Sequence, residues 1–362
     1  MYVVAPSILT VAQAPPPPAQ NGTVFHAGTN LVLVPALVRT KKGEPVFSLT
    51  AQDFLLTDDE AQQTLSLEQD TDSEPLALVV AVETGGAGAR HLDDYRNLGS
   101  TIEALVGNVP HRVALVGFDS EPRLLEDFTP DLSATAAGLH DLESGDSGAA
   151  ILDALKFSVE QLQKQPPEYR RAILLLSETV DRGSHIVLED AVRSVSDTNT
   201  VIYSFAFSST KSATGHEASH MMHDGEPGPP GGCFANDPNA DPSEKKSKAE
   251  KTYDCFGLLA PPLRIAKIAA LIAMESMHKN AAETVAHLTG GEYYTFKDRR
   301  SLQKDMLTVS NHVPNRYVLS FRPEAPHPGL HTLKLQLKDY PNLEITARRN
   351  YWAQEPPPDK AP

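Results

Sequence analysis

The sequence predicts an α/β fold: a doubly wound, mostly parallel sheet inserted in a small discontinuous β-sandwich. Three observations predict it. The segment 77–90, ALVVAVETGGAGAR, is an unbroken apolar strand running into a carboxylate and a glycine-rich turn, as in a strand covered on both faces. From residue 76 onward apolar runs alternate with helical patterns, the signature of parallel strands joined by crossover helices. The two ends of the chain show only strand and turn patterns, and neither is long enough to bury its own apolar face.

The elements follow in order. In the first β segment, 22–73, strands are expected at 30–39, 45–49, 54–57 and 64–67, with a tight turn at 41–44. In the α/β unit, 74–312, apolar strands read at 76–82, 113–118, 172–176 and 201–207, with a shorter one at 293–296. Helical periods lie at 92–106, 149–163, 186–195, 265–288 and 301–310. Residues 123–128, directly after the turn DSEP at 119–122, read as an antiparallel edge strand. The stretch 210–262, rich in Gly, Pro, His and charge, interrupts the last crossover as a loop insertion. Alternating strands at 316–322, 331–337 and 343–348 make the second β segment, 313–352, ahead of a disordered tail at 353–362. Packing the two β segments on each other satisfies both.

Composition narrows the function. At 362 residues and 40% hydrophobic the chain has room for two domains and a sizeable core. A net charge of −15, from 47 acidic and 32 basic residues with no dense basic stripe, argues against a nucleic-acid partner. No apolar run reaches the roughly 18 residues of a membrane span, so no transmembrane segment is expected. Residues 2–11 are mostly apolar, and Ala12-Gln13-Ala14 precedes four prolines. This has the shape of the end of a secretory signal with its cleavage site, although the charged leader is missing. Residues 1–21 therefore read as a signal-peptide remnant and proline-rich linker, and the protein as secreted, periplasmic or envelope-associated. Both cysteines, Cys233 and Cys255, fall in the insertion, where an oxidising compartment would join them as a disulfide.

The loop leaving the carboxyl end of the first apolar strand is where open α/β sheets bind ligands. A dinucleotide site needs three glycines there, and His91 stands where the third would be; no Gly-Lys-Ser/Thr follows either. Nucleotide or phosphate binding by Gly85–Gly88 is thus the alternative reading. The leading one rests on an ordered set of pieces: NLVLV at 30–34, LTAQDF at 49–54, the Glu83 loop, GAAILDAL at 148–155, LLLSE at 174–178, LTGGEYY at 288–294, YVLSF at 317–321 and ARRNY at 347–351. In that order and spacing they resemble the VWFA-related proteins of acidobacteria, a von Willebrand factor A-domain family.

The resemblance implies where a Mg²⁺ site would stand. The family's first loop supplies an Asp and two Ser, which fall here on Glu83, Gly85 and Ala87. Its Thr falls on Ala149 and its second Asp on Glu178. Three hydroxyls are lost and both carboxylates are longer by a methylene, so the site is read as degenerate, with Glu83 and Glu178 its remaining metal ligands and Asp146 and Ser147 near enough to compensate in part. The expectation is no cofactor, Mg²⁺ being the only candidate. The ligand loops are read as Thr84, Gly85, Gly86, Ala87, Asp119, Asp146, Ser147 and Ala149.

Plainer readings stand beside these. Glu83 and Glu178 could be solvated strand-end carboxylates, and Asp119 a turn former with Ser120. His216, His220 and His223 have the spacing of a helical metal site but lie in a Gly/Pro-flanked loop, where a polar loop is the simpler reading. No Gly-x-Ser-x-Gly elbow or His-Glu-x-x-His motif occurs, so no enzyme is expected. The functional expectation is a non-catalytic exported module for adhesion or assembly whose partner is another protein. A purely structural domain with an inert site is the further alternative.

Overall fold

The computed structural model describes residues 31–67, 74–207, 280–313, 315–323 and 327–353. The signal-like segment 1–21, the insertion with Cys233, Cys255, His216, His220 and His223, and most of the helix expected at 265–288 lie outside the described residues.

The chain enters as β1 (Val32–Thr40), followed by β2 (Phe54–Asp58), β3 (Ala61–Gln63) and the short β4 (Ser66–Leu67). The segment 45–49, expected as a strand, is not one; Pro45 lacks an N–H and makes only an isolated bridge to Arg39. The α/β unit follows with β5 (Leu76–Glu83), α1 (Leu92–Tyr95), α2 (Gly99–Val106), β6 (His111–Phe118), β7 (Pro122–Thr129), α3 (Leu132–His140), α4 (Ile151–Gln163), β8 (Arg170–Glu178), α5 (Leu188–Asp197) and β9 (Val201–Phe207). It closes with α6 (Ala281–Thr289), β10 (Tyr293–Thr295) and α7 (Arg299–Ser310), and the chain returns through β11 (Tyr317–Phe321), β12 (Gly329–Leu337), β13 (Leu343–Ala347) and β14 (Asn350–Ala353).

The central sheet has the order β10-β9-β8-β5-β6-β7 and is parallel except for the edge strand β7. Every residue of β5 is buried, and its period of two divides them between two cores. Leu76, Leu78, Val80 and Val82 pack with Tyr95, Leu98, Ile102 and Leu105 of the α1–α2 region and with Leu302, Met306 and Val309 of α7. Ala77, Val79 and Ala81 face Ile151, Leu155 and Val159 of α4, with α5 and α6 beside them. The single helix expected at 92–106 is broken between Tyr95 and Gly99, yet its buried positions keep the helical period across the break, which is why the pattern read as continuous. Helix α3 was not anticipated; Asp131 caps it by accepting from the Ser133 N–H.

The two chain ends form two four-stranded sheets, β13-β1-β11-β4 and β14-β12-β2-β3, with antiparallel pairings throughout. One apolar core lies between them, with Val34, Val38, Phe54 and Leu56 from the first end and Leu319, Phe321, Leu333 and Tyr351 from the second. Buried polar ties fix this sandwich to the α/β unit. Arg348 donates to the Leu33 carbonyl at 3.1 Å, to Asn199 Oδ1 at 2.9 Å and to the Ser196 carbonyl at 3.3 Å. Glu292 is held by Arg316 at 3.1 Å and His312 at 3.0 Å, and Arg193 of α5 lies 4.6 Å over the Trp352 ring. Gly290 ends α6 in the left-handed region at φ +77°, and a Cβ there would lie 2.4 Å from the Arg348 nitrogen, so only glycine lets the two parts approach.

Candidate functional site

Four loops meet at the carboxyl end of the central sheet: 84–91 after β5, 119–121 after β6, 141–150 before α4, and 179–187 after β8. Backbone hydrogen bonds join them. Gly86 N–H donates to the Asp146 carbonyl at 2.8 Å, Gly145 N–H to Thr84 at 2.9 Å, and Ala150 N–H to Asp119 at 2.8 Å. Ala149 and Arg182 exchange both bonds, at 3.0 and 2.8 Å. Glu83, Thr84, Gly85, Gly86, Ala87, Asp119, Asp146, Ser147, Ala149 and Glu178, far apart in sequence, all belong to this loop cluster or to the strand ends that carry it.

Glu83, Glu178, Asp119 and Asp146 each have partners within the protein. Glu83 is fully buried; its Oε1 accepts from Gly88 N–H at 2.9 Å and its Oε2 from Glu178 N–H at 2.6 Å. Glu178, also fully buried, pairs with the Arg182 guanidinium at 2.9 Å. Asp119 takes Arg123 on both oxygens, at 3.3 and 2.7 Å, and accepts from the Glu121 N–H at 3.1 Å, the turn-forming bond expected of it. Burial pushes the Asp119 carboxyl up, and the Arg123 guanidinium with the Glu121 and Asp146 N–H groups outweighs that and holds it below the usual range. Asp146 Oδ1 ties its own turn, accepting from Gly148 N–H at 2.8 Å and from Ser120 Oγ at 3.0 Å. The Thr84 hydroxyl points inward and donates to the Phe118 carbonyl at 3.1 Å, while Ser147 is exposed.

Gly85 shows how tightly the loops close. A Cβ built on it would lie 2.4 Å from the Gly148 carbonyl oxygen and 2.6 Å from Asp119 Cβ, so the place where the family pattern has a serine is filled by backbone. The amino end of α4 is closed too. Leu152 N–H donates to Asp181 Oδ1 at 3.1 Å and to Ser184 Oγ at 3.0 Å, and Asp153 accepts in return from the His185 and Ile186 N–H groups at 2.9 and 3.0 Å. Arg182, Arg123, Asp181 and Ser184 were not singled out from the sequence. A signal for two of them was present, because each site carboxylate, Asp119 and Glu178, is followed four residues later by an arginine.

Burial, reinforced by the charge of Glu178, lifts Glu83 to about 8, against the two N–H bonds and Arg182, which favour its ionised form. A carboxyl whose pKa is raised by folding binds its proton more tightly in the native state. Its contribution to stability is therefore full below the unfolded value of 4.5 and is lost as pH rises through about 8. Unfolding free energy should fall across that window by an amount on the order of 4 kcal/mol. Glu83→Gln should flatten the slope, as read from urea titrations at pH 5 and 8; an unchanged slope would mean that Glu83 titrates normally.

No family model matches the chain, and no curated protein matches it. Solved structures do. The vWF domain of the type V pili tip protein Mfa5 from Porphyromonas gingivalis is 20% identical over 30% of this chain and 39% of that chain, at a TM-score of 0.27. BatB, a conserved hypothetical protein from Bacteroides thetaiotaomicron, is 13% identical over 66% of this chain and 98% of that chain, at 0.39. The SpRpn10 VWA domain is 15% identical over 38% of this chain and 78% of that chain, at 0.28. The architecture is VWA-like. The strand order, the antiparallel edge strand β7 and the helices on both faces carry that statement by themselves. This chain spans about two fifths of the length of the pilus-tip domain it is similar to.

Proposed function

We propose that this protein is a non-catalytic, exported protein-binding module of adhesion or assembly type, whose partner surface is the loop rim at the carboxyl end of the central sheet and works without Mg²⁺. The observation that carries the reading is the internal satisfaction of the site: Glu83 is held by two backbone N–H groups, Glu178 by Arg182 and Asp119 by Arg123. The residues present do not fit Mg²⁺, which wants near-octahedral oxygen ligation and dehydrates reluctantly. To bind, it would have to strip Glu83 of both donors and displace a guanidinium, with no hydroxyl at positions 85, 87 or 149 to assist. Arg182 supplies the positive charge that the ion supplies in the family pattern.

A phosphate at Gly85–Gly88 finds few donors. The N–H groups of residues 84, 85, 86, 88 and 89 are all spent within the protein, and the buried Glu83 carboxyl lies beneath the loop. What the closed loops leave outward is mostly acidic, Glu121, Asp141, Glu143 and Asp146 against Arg90, which suits a partner with a basic patch. Export is supported by the signal-like pattern of residues 2–14.

Capture of envelope proteins on the immobilised chain tests this reading. A specific partner should be retained in EDTA and lost when Glu121→Lys and Glu143→Lys are combined. Retention that requires Mg²⁺ and ignores the rim substitutions would contradict it.

A further inference from the structure

Away from the loop cluster, the sandwich brings together four side chains that the sequence reading left unused. β2 and β3 are joined by the two-residue turn Asp59–Glu60, both residues at positive φ, 45° and 72°, as a tight hairpin requires. The turn carries Asp59 over β12. There Asp59, His327 and His331 place ligand atoms that all lie within 4.8 Å of one another. His331 Nδ1 lies 2.9 Å from Asp59 Oδ2 and 3.0 Å from Asp58 Oδ1, and His327 Nε2 lies 3.1 Å from Asp59 Oδ2.

The far atom of every one of these groups is fixed from behind. His331 Nε2 faces the His327 carbonyl at 2.8 Å, so it carries the hydrogen and leaves the lone pair of the neutral ring on Nδ1. His327 Nδ1 faces the Pro328 carbonyl at 3.3 Å, leaving Nε2 to point inward. Asp58 Oδ2 accepts from the Tyr351 hydroxyl at 2.8 Å, and Asp59 Oδ1 from the Thr332 N–H at 2.9 Å. Ligating histidines and carboxylates are oriented in this way, through their second atoms. The convergent atoms are then one nitrogen of each imidazole and one Asp59 carboxylate oxygen, with Asp58 Oδ1 outside that set beside His331 Nδ1.

We propose that Asp59, His327 and His331 bind one Zn²⁺ ion, with water at the fourth position. Nitrogen and oxygen donors in a tetrahedral set suit Zn²⁺. Metal–ligand bonds of about 2.0–2.1 Å would place the ligand atoms roughly 3.3–3.4 Å apart. The two Asp59 contacts, 2.9 and 3.1 Å, would open by a few tenths of an ångström, and the imidazole rings, stacked with centroids 4.1 Å apart, would tilt to aim both nitrogens at the ion. Asp59 and His327 are partly exposed and give the ion a way in, while Asp58 and His331 are buried. The competing occupant of Nδ1 is a proton, which would tie His331 to the same carboxylates without a metal. A bound ion would clip the β2–β3 hairpin to β12, joining the two ends of the chain.

The test uses the full chain with His216, His220 and His223 changed to alanine, so that the insertion supplies no imidazole. After EDTA treatment and dialysis, one equivalent of Zn²⁺ should remain bound through gel filtration, raise the melting temperature, and give way to Co²⁺ with the visible absorption of a tetrahedral site. His327→Ala, at a partly exposed position, should fold and lose this retention. No retained Zn²⁺, or full retention in His327→Ala, would overturn the proposal and leave the cluster a proton-bridged ion pair.

Discussion

Gly85→Ser, the substitution that would restore one hydroxyl of the family's metal loop, should destabilise the protein severely. The new Cβ would meet the Gly148 carbonyl at 2.4 Å and Asp119 Cα at 2.9 Å, contacts with main chain that no side-chain rotation relieves. Both neighbours are anchored, Asp119 by Arg123 and the 141–150 loop by its bonds to Gly86 and Thr84. Overpacking of this kind typically costs about 1–3 kcal/mol, and with backbone on both sides a loss of at least about 3 kcal/mol is expected. The urea midpoint should fall at an unchanged slope, and Mg²⁺ should not recover it. A variant of near-normal stability that gains Mg²⁺ dependence would show that the loops open to admit a serine and an ion.

Deleting residues 316–353 should abolish cooperative folding of the N-terminal β segment. β1 lies between β11 and β13 and pairs with each at five positions, so the deletion strips both of its edges. Val32, Val34, Ala36, Leu37 and Val38 are buried there. Burying an aliphatic side chain contributes about 1.5–3 kcal/mol. The four Val and Leu groups among them therefore approach the whole net stability of a domain, about 5–15 kcal/mol. The exposed strand would also offer two open edges to other copies of the chain. Limited proteolysis should cut the truncated protein within residues 31–67, and aggregation should follow. A soluble truncation that resists cleavage there and unfolds as cooperatively as the full chain would show that the first β segment does not depend on the second.

Much of the fold could be read from the chain because its signals are local. β5, β6, β8 and β9 are continuous apolar runs, and β12 alternates buried with more exposed residues over its second half. The break after Tyr95 left no mark on the apolar period, and α3 is a short Ala-rich helix with only Thr135 and Leu139 buried, so its one clear signal was the Asp131 cap. The site was legible as a set of positions. Glu83 and Glu178 were identified as the carboxylates at neighbouring strand ends, but the partner of each is a tertiary fact: a backbone N–H from 95 residues away for Glu83, a guanidinium from the next loop for Glu178. The Asp58, Asp59, His327 and His331 cluster had no sequence signal, since 273 residues separate Asp58 from His331. Only the pairing of the two chain ends brings them together.

On the proposed reading, the loop cluster is closed by its own residues and needs no ion. A ligand that binds only the native state raises stability by RT ln(1 + [L]/Kd), so thermal melts of the unmodified chain in EDTA and in millimolar Mg²⁺ measure occupancy directly. The expected result is a shift below about 1 °C, corresponding to well under 1 kcal/mol for a protein of this size. A rise of several degrees with Mg²⁺ that disappears in Glu83→Ala would contradict the account, because it would show the buried carboxylate serving a metal and not the backbone of its neighbours.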